Sequence, residues 1–326
     1  VKRILGIGNA LVDVLVNLPD DSLLNEFNLP KGSMQHVDEA TANNLWNKIQ
    51  ALGTQVVAGG SAANTITGIA QLGLDCKFIG KTGDDDLGHR FAHDQIVNGI
   101  QSLLLKSRTA TGRCTVSITP DAERTMATYL GAAIELAPED LNEQMFDGYD
   151  YFHIEGYLVQ NHALVRRSVE LAKAKQQIIS LDLASYNVVE QNLEFLRDIL
   201  HNYVDIVFAN EAEAEVFTGK QPQEALHELA KSCTVAAVKL GRHGSLVKSG
   251  DKSYTIAPYP TKAIDATGAG DLYASGFLYA HALGMPLDKC GDIGSYVSDK
   301  VVGIIGPKLT EAIWKDIRQF VLKFNK

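Results

Sequence analysis

Residues 268–271 read Gly-Ala-Gly-Asp and run into an apolar-periodic stretch carrying Leu272, Ala274, Phe277 and Leu278. Glycines at a helix start let backbone N–H groups converge without side-chain obstruction, and the helix dipole helps them bind an anion. Asp271 would then sit in the first turn beside that anion. This is what phosphoryl transfer asks of a protein: positioned groups, neutralised charge and one carboxylate to take a proton from the attacking hydroxyl. The alternative is a tight turn in which Asp271 only complements the helix dipole.

Four further segments could take part, each with a plainer reading. Gly59-Gly60-Ser61-Ala62-Ala63-Asn64 could bring backbone close to a ligand, with Asn64 offering two hydrogen bonds to vicinal hydroxyls; it could equally be a bend with Ser61 as helix N-cap. Asn210-Glu211-Ala212-Glu213 follows an apolar strand, where polar groups face the ligand crevice of a parallel sheet. It could hold Mg²⁺ through water or be a helix-capping pattern. In Val238-Lys239-Leu240-Gly241-Arg242-His243-Gly244-Ser245 a strand enters a turn suited to a nucleotide's phosphates and ribose, or to a hairpin. Asp13, in the strand that follows Asn9, is costly if buried and unused; it would bind sugar hydroxyls or face solvent. His89 and His93 share a helical face but have no third ligand candidate, so a solvated face is expected.

Two dinucleotide-binding readings fail. Leu11 stands where the third glycine after Gly6-x-Gly8 belongs, and Tyr273 where it belongs after Gly268-x-Gly270. There is no Gly-x4-Gly-Lys-Ser/Thr loop.

The elements that must position these groups change rhythm along the chain. From about residue 150 short apolar strands alternate with amphipathic helices, which predicts a parallel sheet covered on both faces. Residues 9–18 and 107–130 alternate in polarity instead, the latter as a hairpin turning at Pro120–Asp121, and they suggest a small β-structure projecting from that sheet. Helices are expected over 38–52 and 60–73, the second ending at a glycine.

Composition fits this picture. The 326 residues are 45% hydrophobic and 21% charged, with net charge -9, so a nucleic-acid partner is not expected. The four cysteines are far apart, with neither zinc spacing nor a disulfide framework, and they fit free thiols in a reducing cytosol. No apolar run reaches the ~18 residues of a membrane span. The opening VKRILGIGNALVDVLVN has the order of a signal peptide, but Gly6, Gly8, Asn9 and Asp13 interrupt it and a first β-strand is the better reading.

Taken together and in order, GNALVD (8–13), GGSAAN (59–64), FIGKTGDDDLG (78–88), NEAEAE (210–215), VKLGRHGS (238–245) and DATGAGD (265–271) resemble the ribokinase-like, PfkB-type family of carbohydrate and nucleoside kinases. The resemblance spans nearly the whole chain. It implies an α/β fold, a three-layer core with a mainly parallel sheet, and a small β-sheet lid. The core would comprise 1–8, 39–106 and 131–326, and the lid 9–38 and 107–130, covering the substrate. It also implies ATP, Mg²⁺ and, in some members, K⁺. Asp271 would be the base, and Gly268, Ala269 and Gly270 the anion hole. Asn9, Leu11, Asp13, Gly59, Gly60, Asn64 and Tyr157 would bind the acceptor. Asn210, Lys239, Gly241 and Gly244 would bind the nucleotide, with Glu213 near Mg²⁺ through water and Asp265 and Thr267 at a K⁺ site.

Asn9 with Leu11 and Asp13, FHIEGYLV (152–159) and YVDIVFANEAEAEVF (203–217) resemble the adenosine kinase branch, with a role in purine salvage. Ala266 in place of the frequent Thr, and Ala62-Ala63, depart from that branch. A sugar such as ribose or fructose is the alternative acceptor, and a non-catalytic nucleoside-binding protein on the same fold is the alternative of another class. A cytoplasmic monomer or homodimer is expected.

Overall fold

The computed structural model describes residues 2–121 and 123–324. Its nine-stranded sheet runs, edge to edge, Lys252–Ile256, Ser245–Ser249, Val235–Lys239, Ile206–Asn210, Ile178–Asp182, Tyr151–Glu155, Arg3–Ile7, Asp75–Gly83 and Gln101–Ser107. All neighbours pair in parallel except the two strands that close the first edge. The apolar strand runs have their physical reason here, since a parallel sheet buries both faces.

Alternate residues of these strands feed two cores. Ile4, Phe78, Tyr151 and Phe208 pack against the helices Ser61–Leu72, Ala269–Ala282 and Leu287–Val302. Leu5, Phe152, Leu181 and Val207 pack against His162–Ala174, Leu193–Asn202 and Glu211–Thr218. The result is the expected three-layer arrangement.

A second sheet has five strands in the order Met34–His36, Arg124–Gly131, Thr111–Ile118, Leu11–Asn17 and Thr54–Gly59. Arg124–Gly131 and Thr111–Ile118 form the expected antiparallel hairpin, and Leu11–Asn17 joins it. One correction is needed. Thr54–Gly59 pairs antiparallel with Leu11–Asn17, and the helix Glu39–Ile49 covers the same sheet through Leu45 and Ile49. Residues 39–59 therefore belong with the small sheet rather than the core, and the boundary falls at Gly59–Gly60. The six residues of Thr54–Gly59 show no clean alternation that would mark them as a half-exposed strand. Among the described residues no helix is long and apolar enough to cross a membrane.

Candidate active site

The carboxyl ends of the parallel strands and the inner face of the small sheet enclose a cleft of about 1340 Å³. Single-ligand pockets usually hold ~300–1,000 Å³, so this cleft has room for two molecules. Glu155, Asp182, Asn210 and Lys239 line it from the strand ends, Asp13 and Leu11 from the small sheet, and residues 266–271 from the loop and helix between.

Gly268 caps the helix Ala269–Ala282 at φ 75°. A side chain there would be strained and would meet the Pro307 ring at 2.6 Å. At Gly270 a Cβ would lie 3.0 Å from the Lys239 Nζ, so that ammonium stands against the helix mouth. Asp271 follows in the first turn. Its Oδ1 accepts from the Ser61 Oγ at 2.7 Å and its Oδ2 from the Asn64 Nδ2 at 3.0 Å. Burial lifts its carboxyl to about 6, against the pull of those two hydrogen bonds. It is thus largely ionised near neutrality yet basic enough to take a proton.

The expected acceptor residues meet at one end of the cleft. Gly60 lies at φ 94°, its Cα pressed against the Asn9 carbonyl, and Gly59 leaves room for the Asp13 carboxylate. Burial lifts Asp13 to about 6, with Lys308 opposing. The Asn64 Oδ1 is buried without a partner, an acceptor free to take a hydroxyl. Ser61 is not the N-cap: Gly60 holds that position, and the Ser61 hydroxyl is spent on Asp271. Leu11 and Tyr157 line the cleft.

The residues expected on the nucleotide side are partly occupied with one another. Asn210 and Glu213 form a reciprocal capping box for the helix Glu211–Thr218, with bonds of 2.6–2.9 Å. The plainer capping reading therefore describes their contacts. Lys239 is ion-paired with Asp182 at 2.7 Å. Burial first, and then the neighbouring Asp182, push the Glu213 carboxyl up, with Lys239 opposing. Gly241 and Gly244, both at positive φ, turn Val235–Lys239 into Ser245–Ser249. The Asp265 carboxylate accepts from the Thr267 amide and hydroxyl and from the Gly306 amide at 2.6–2.9 Å. It is also ion-paired with Arg124, reaching over from the small sheet, whose Nη1 donates to the Thr267 Oγ1 at 3.0 Å. The residues expected at a K⁺ site thus already face a cation.

Sequence reasoning missed Ser61 as a partner of Asp271, and it missed Arg124, Asp182, Lys308 and Glu155. Asp182 and Glu155 each end an apolar strand, and an acid at that position was the available signal. Arg124 and Lys308 carried no such signal. Among the described residues His, Cys, Asp and Glu form no metal-holding cluster of three.

Comparisons with known proteins place this geometry. The model of the pfkB family carbohydrate kinases matches residues 33–312. The adenosine kinase from Sinorhizobium meliloti is 33% identical, with a TM-score of 0.87 over 98% of this chain and 99% of that one. A probable sugar kinase from Rhizobium etli is 31% identical, with a TM-score of 0.88 over the same shares. An adenosine kinase of Schizophyllum commune is 27% identical over 92% of this chain and 95% of its own length.

Proposed function

The chain belongs to the pfkB family of carbohydrate kinases, and from that premise we propose that it transfers the γ-phosphoryl group of ATP to the 5′-hydroxymethyl of a ribonucleoside, adenosine first. The observation that carries this reading is the two-part character of the acceptor end. Asp13 and Asn64 offer hydrogen bonds to a ribose. The same cleft is lined by Leu11, Cys114, Met126, Leu130, Leu136 and Tyr157, mostly apolar side chains that would form a slot suited to a flat base. A free sugar would have no use for that slot. The adenosine kinases among the similar proteins support the same choice.

In this reading the ribose hydroxyls bind Asp13 and Asn64, and the 5′-hydroxyl lies beside Asp271. Asp271 accepts its proton as the oxygen attacks the γ-phosphorus in line and the bond to the ADP oxygen breaks. The amides of Gly268 and Gly270 and the Lys239 ammonium meet the negative charge of the transferring group, whereas the Ala269 amide, expected to join them, donates to the Ala266 carbonyl at 3.1 Å. Mg²⁺ would arrive on the nucleotide's phosphates and neutralise their charge. The acidic wall of Asp182 and Glu213 fits a hydrated divalent ion touched through water. The small sheet acts as a lid that keeps water from the γ-phosphoryl.

A coupled ADP-release assay with adenosine, inosine, guanosine, ribose and fructose tests the proposal. Adenosine is expected to give the highest kcat/KM. A preference for ribose or fructose would move the chain to the sugar kinases. ATP left intact with every acceptor, despite nucleoside binding, would make it a binding protein.

A further inference from the structure

The polypeptide passes between the sheets four times, through Gly8–Ala10, at Gly60, through Arg108–Ala110 and after Gly131. The first two of these crossings meet at one buried group. Glu155 ends the strand Tyr151–Glu155 and is 1% exposed. Its Oε1 accepts from the Asn9 amide at 3.0 Å and from the Asn9 Nδ2 at 2.5 Å, and its Oε2 accepts from the Ala62 amide at 3.0 Å. Two glycines clear the way. A Cβ at Gly8 would fall on the Glu155 Oε2, and one at Gly60 would fall on the Asn9 carbonyl.

What lies just beyond each crossing gives this clamp its meaning. Leu11 and Asp13 follow Asn9, and Ser61 and Asn64 flank Ala62; these are the two halves of the acceptor site. The nucleotide-side groups Lys239 and Gly268–Gly270 make no hydrogen bond to Glu155 among the described residues. We infer that Glu155 is a positioning residue that holds Asn9 and Ala62 at a fixed separation and so sets the spacing between the two halves of the acceptor site. A carboxyl can do this because both of its oxygens accept; burial lifts this one to about 7, against the pull of the Ala62 and Asn9 hydrogen bonds. Glutamine offers a single oxygen, so it can serve Asn9 or Ala62 but not both.

The kinetic arm of the test rests on the kinase reading; the exchange arm does not. In Glu155→Gln the acceptor KM should rise about tenfold, the worth of one buried hydrogen bond, while the KM for ATP stays within about threefold. Gly8→Ala, whose Cβ would press on the Glu155 carboxyl and, at 2.8 Å, on the Ala62 Cβ, should reproduce that split. In both variants amide hydrogen exchange at Ala62 should accelerate while the strand Tyr151–Glu155 stays protected. Unchanged exchange and unchanged acceptor KM in the folded variants overturn the clamp. A parallel rise of both KM values overturns it too, since that marks a general structural role. A third measurement needs no variant. The wild-type Ala62 amide has no intrahelical partner in the first turn, so its protection must come from Glu155. Exchange as fast as at the Asp86 and Leu87 amides, which open the helix Asp86–Val97 ahead of the Gly88 amide capped by Asp85, would overturn the inference. A protein that phosphorylates nothing refutes the kinase reading and leaves the exchange result to decide the clamp alone.

Discussion

Replacing Asp271 by asparagine separates the charge of the proposed base from its shape, and it should make the protein slower and more stable at once. Burial lifts the Asp271 carboxyl to about 6 in the folded chain. A carboxyl raised in this way favours its neutral form on folding. Its contribution to stability is full below the unfolded value of ~4 and is lost as pH rises through about 6. Near neutrality the folded protein therefore carries that charge at a cost of up to ~3 kcal/mol. Asp271 keeps part of its surface open to the cleft, so solvent trims the figure to about 1–2 kcal/mol, or about 2–3 °C in melting temperature for a chain of this length. Asparagine can be accommodated. Ser61 can still donate to its oxygen, and Asn64, whose Oδ1 has no partner, can turn its amide over to accept from the new NH₂. Turnover should fall by at least ~10²-fold with the acceptor KM little changed. Melting curves at about pH 4 and pH 7.5, beside the coupled assay, check both halves: the stability advantage should be present at the higher pH and absent at the lower. Near-wild-type turnover would remove Asp271 from its role. A variant less stable than wild type at pH 7.5 would refute the electrostatic argument.

Other perturbations read the remaining parts of the site. Asp13 is also lifted to about 6, so kcat/KM for the acceptor should fall below about pH 6 with a slope steeper than one proton; a one-proton limb would leave a single carboxylate in control. Lys239→Met strands Asp182 and should cost about 3 kcal/mol, as breaking a buried pair does. Adding Asp182→Asn should restore the melting temperature but not the turnover, and recovery of both would make the pair purely structural. Arg124→Ala frees Asp265 and Thr267, so turnover that barely responds to K⁺ in the wild type should come to depend on it; a K⁺ titration of both proteins decides. Leu11→Ala thins the apolar slot and should lower kcat/KM for adenosine about 10-fold or more, the worth of a buried leucine side chain, while leaving any residual activity on ribose unchanged.

The parts of this site that were legible in the sequence are those in which one short segment does the whole job. Gly268 must adopt positive φ and Gly270 must admit a neighbour, so the glycine pair ahead of Asp271 announces itself. The alternation of residue types over 11–17 and the turn after Ile118 likewise marked a second sheet, although its central strands are more deeply buried than the half-exposed pattern suggested. What stayed illegible is pairing across sequence distance. Ser61 and Asn64 reach Asp271 from more than two hundred residues away, Lys239 finds Asp182 two strands over in the sheet, and Arg124 crosses from one sheet to the other to reach Asp265. Such contacts leave no periodicity, since each residue type suits its own segment without its partner. The same fact explains why Asn210 and Glu213 could be read two ways. Their spacing satisfies a helix cap by itself, and only Lys239 and Asp182, brought beside them by the parallel order of three strands, turn that cap into one wall of a charged cleft. Local pattern thus specifies the pieces of the site, and the sheet order decides which acids face which lysines.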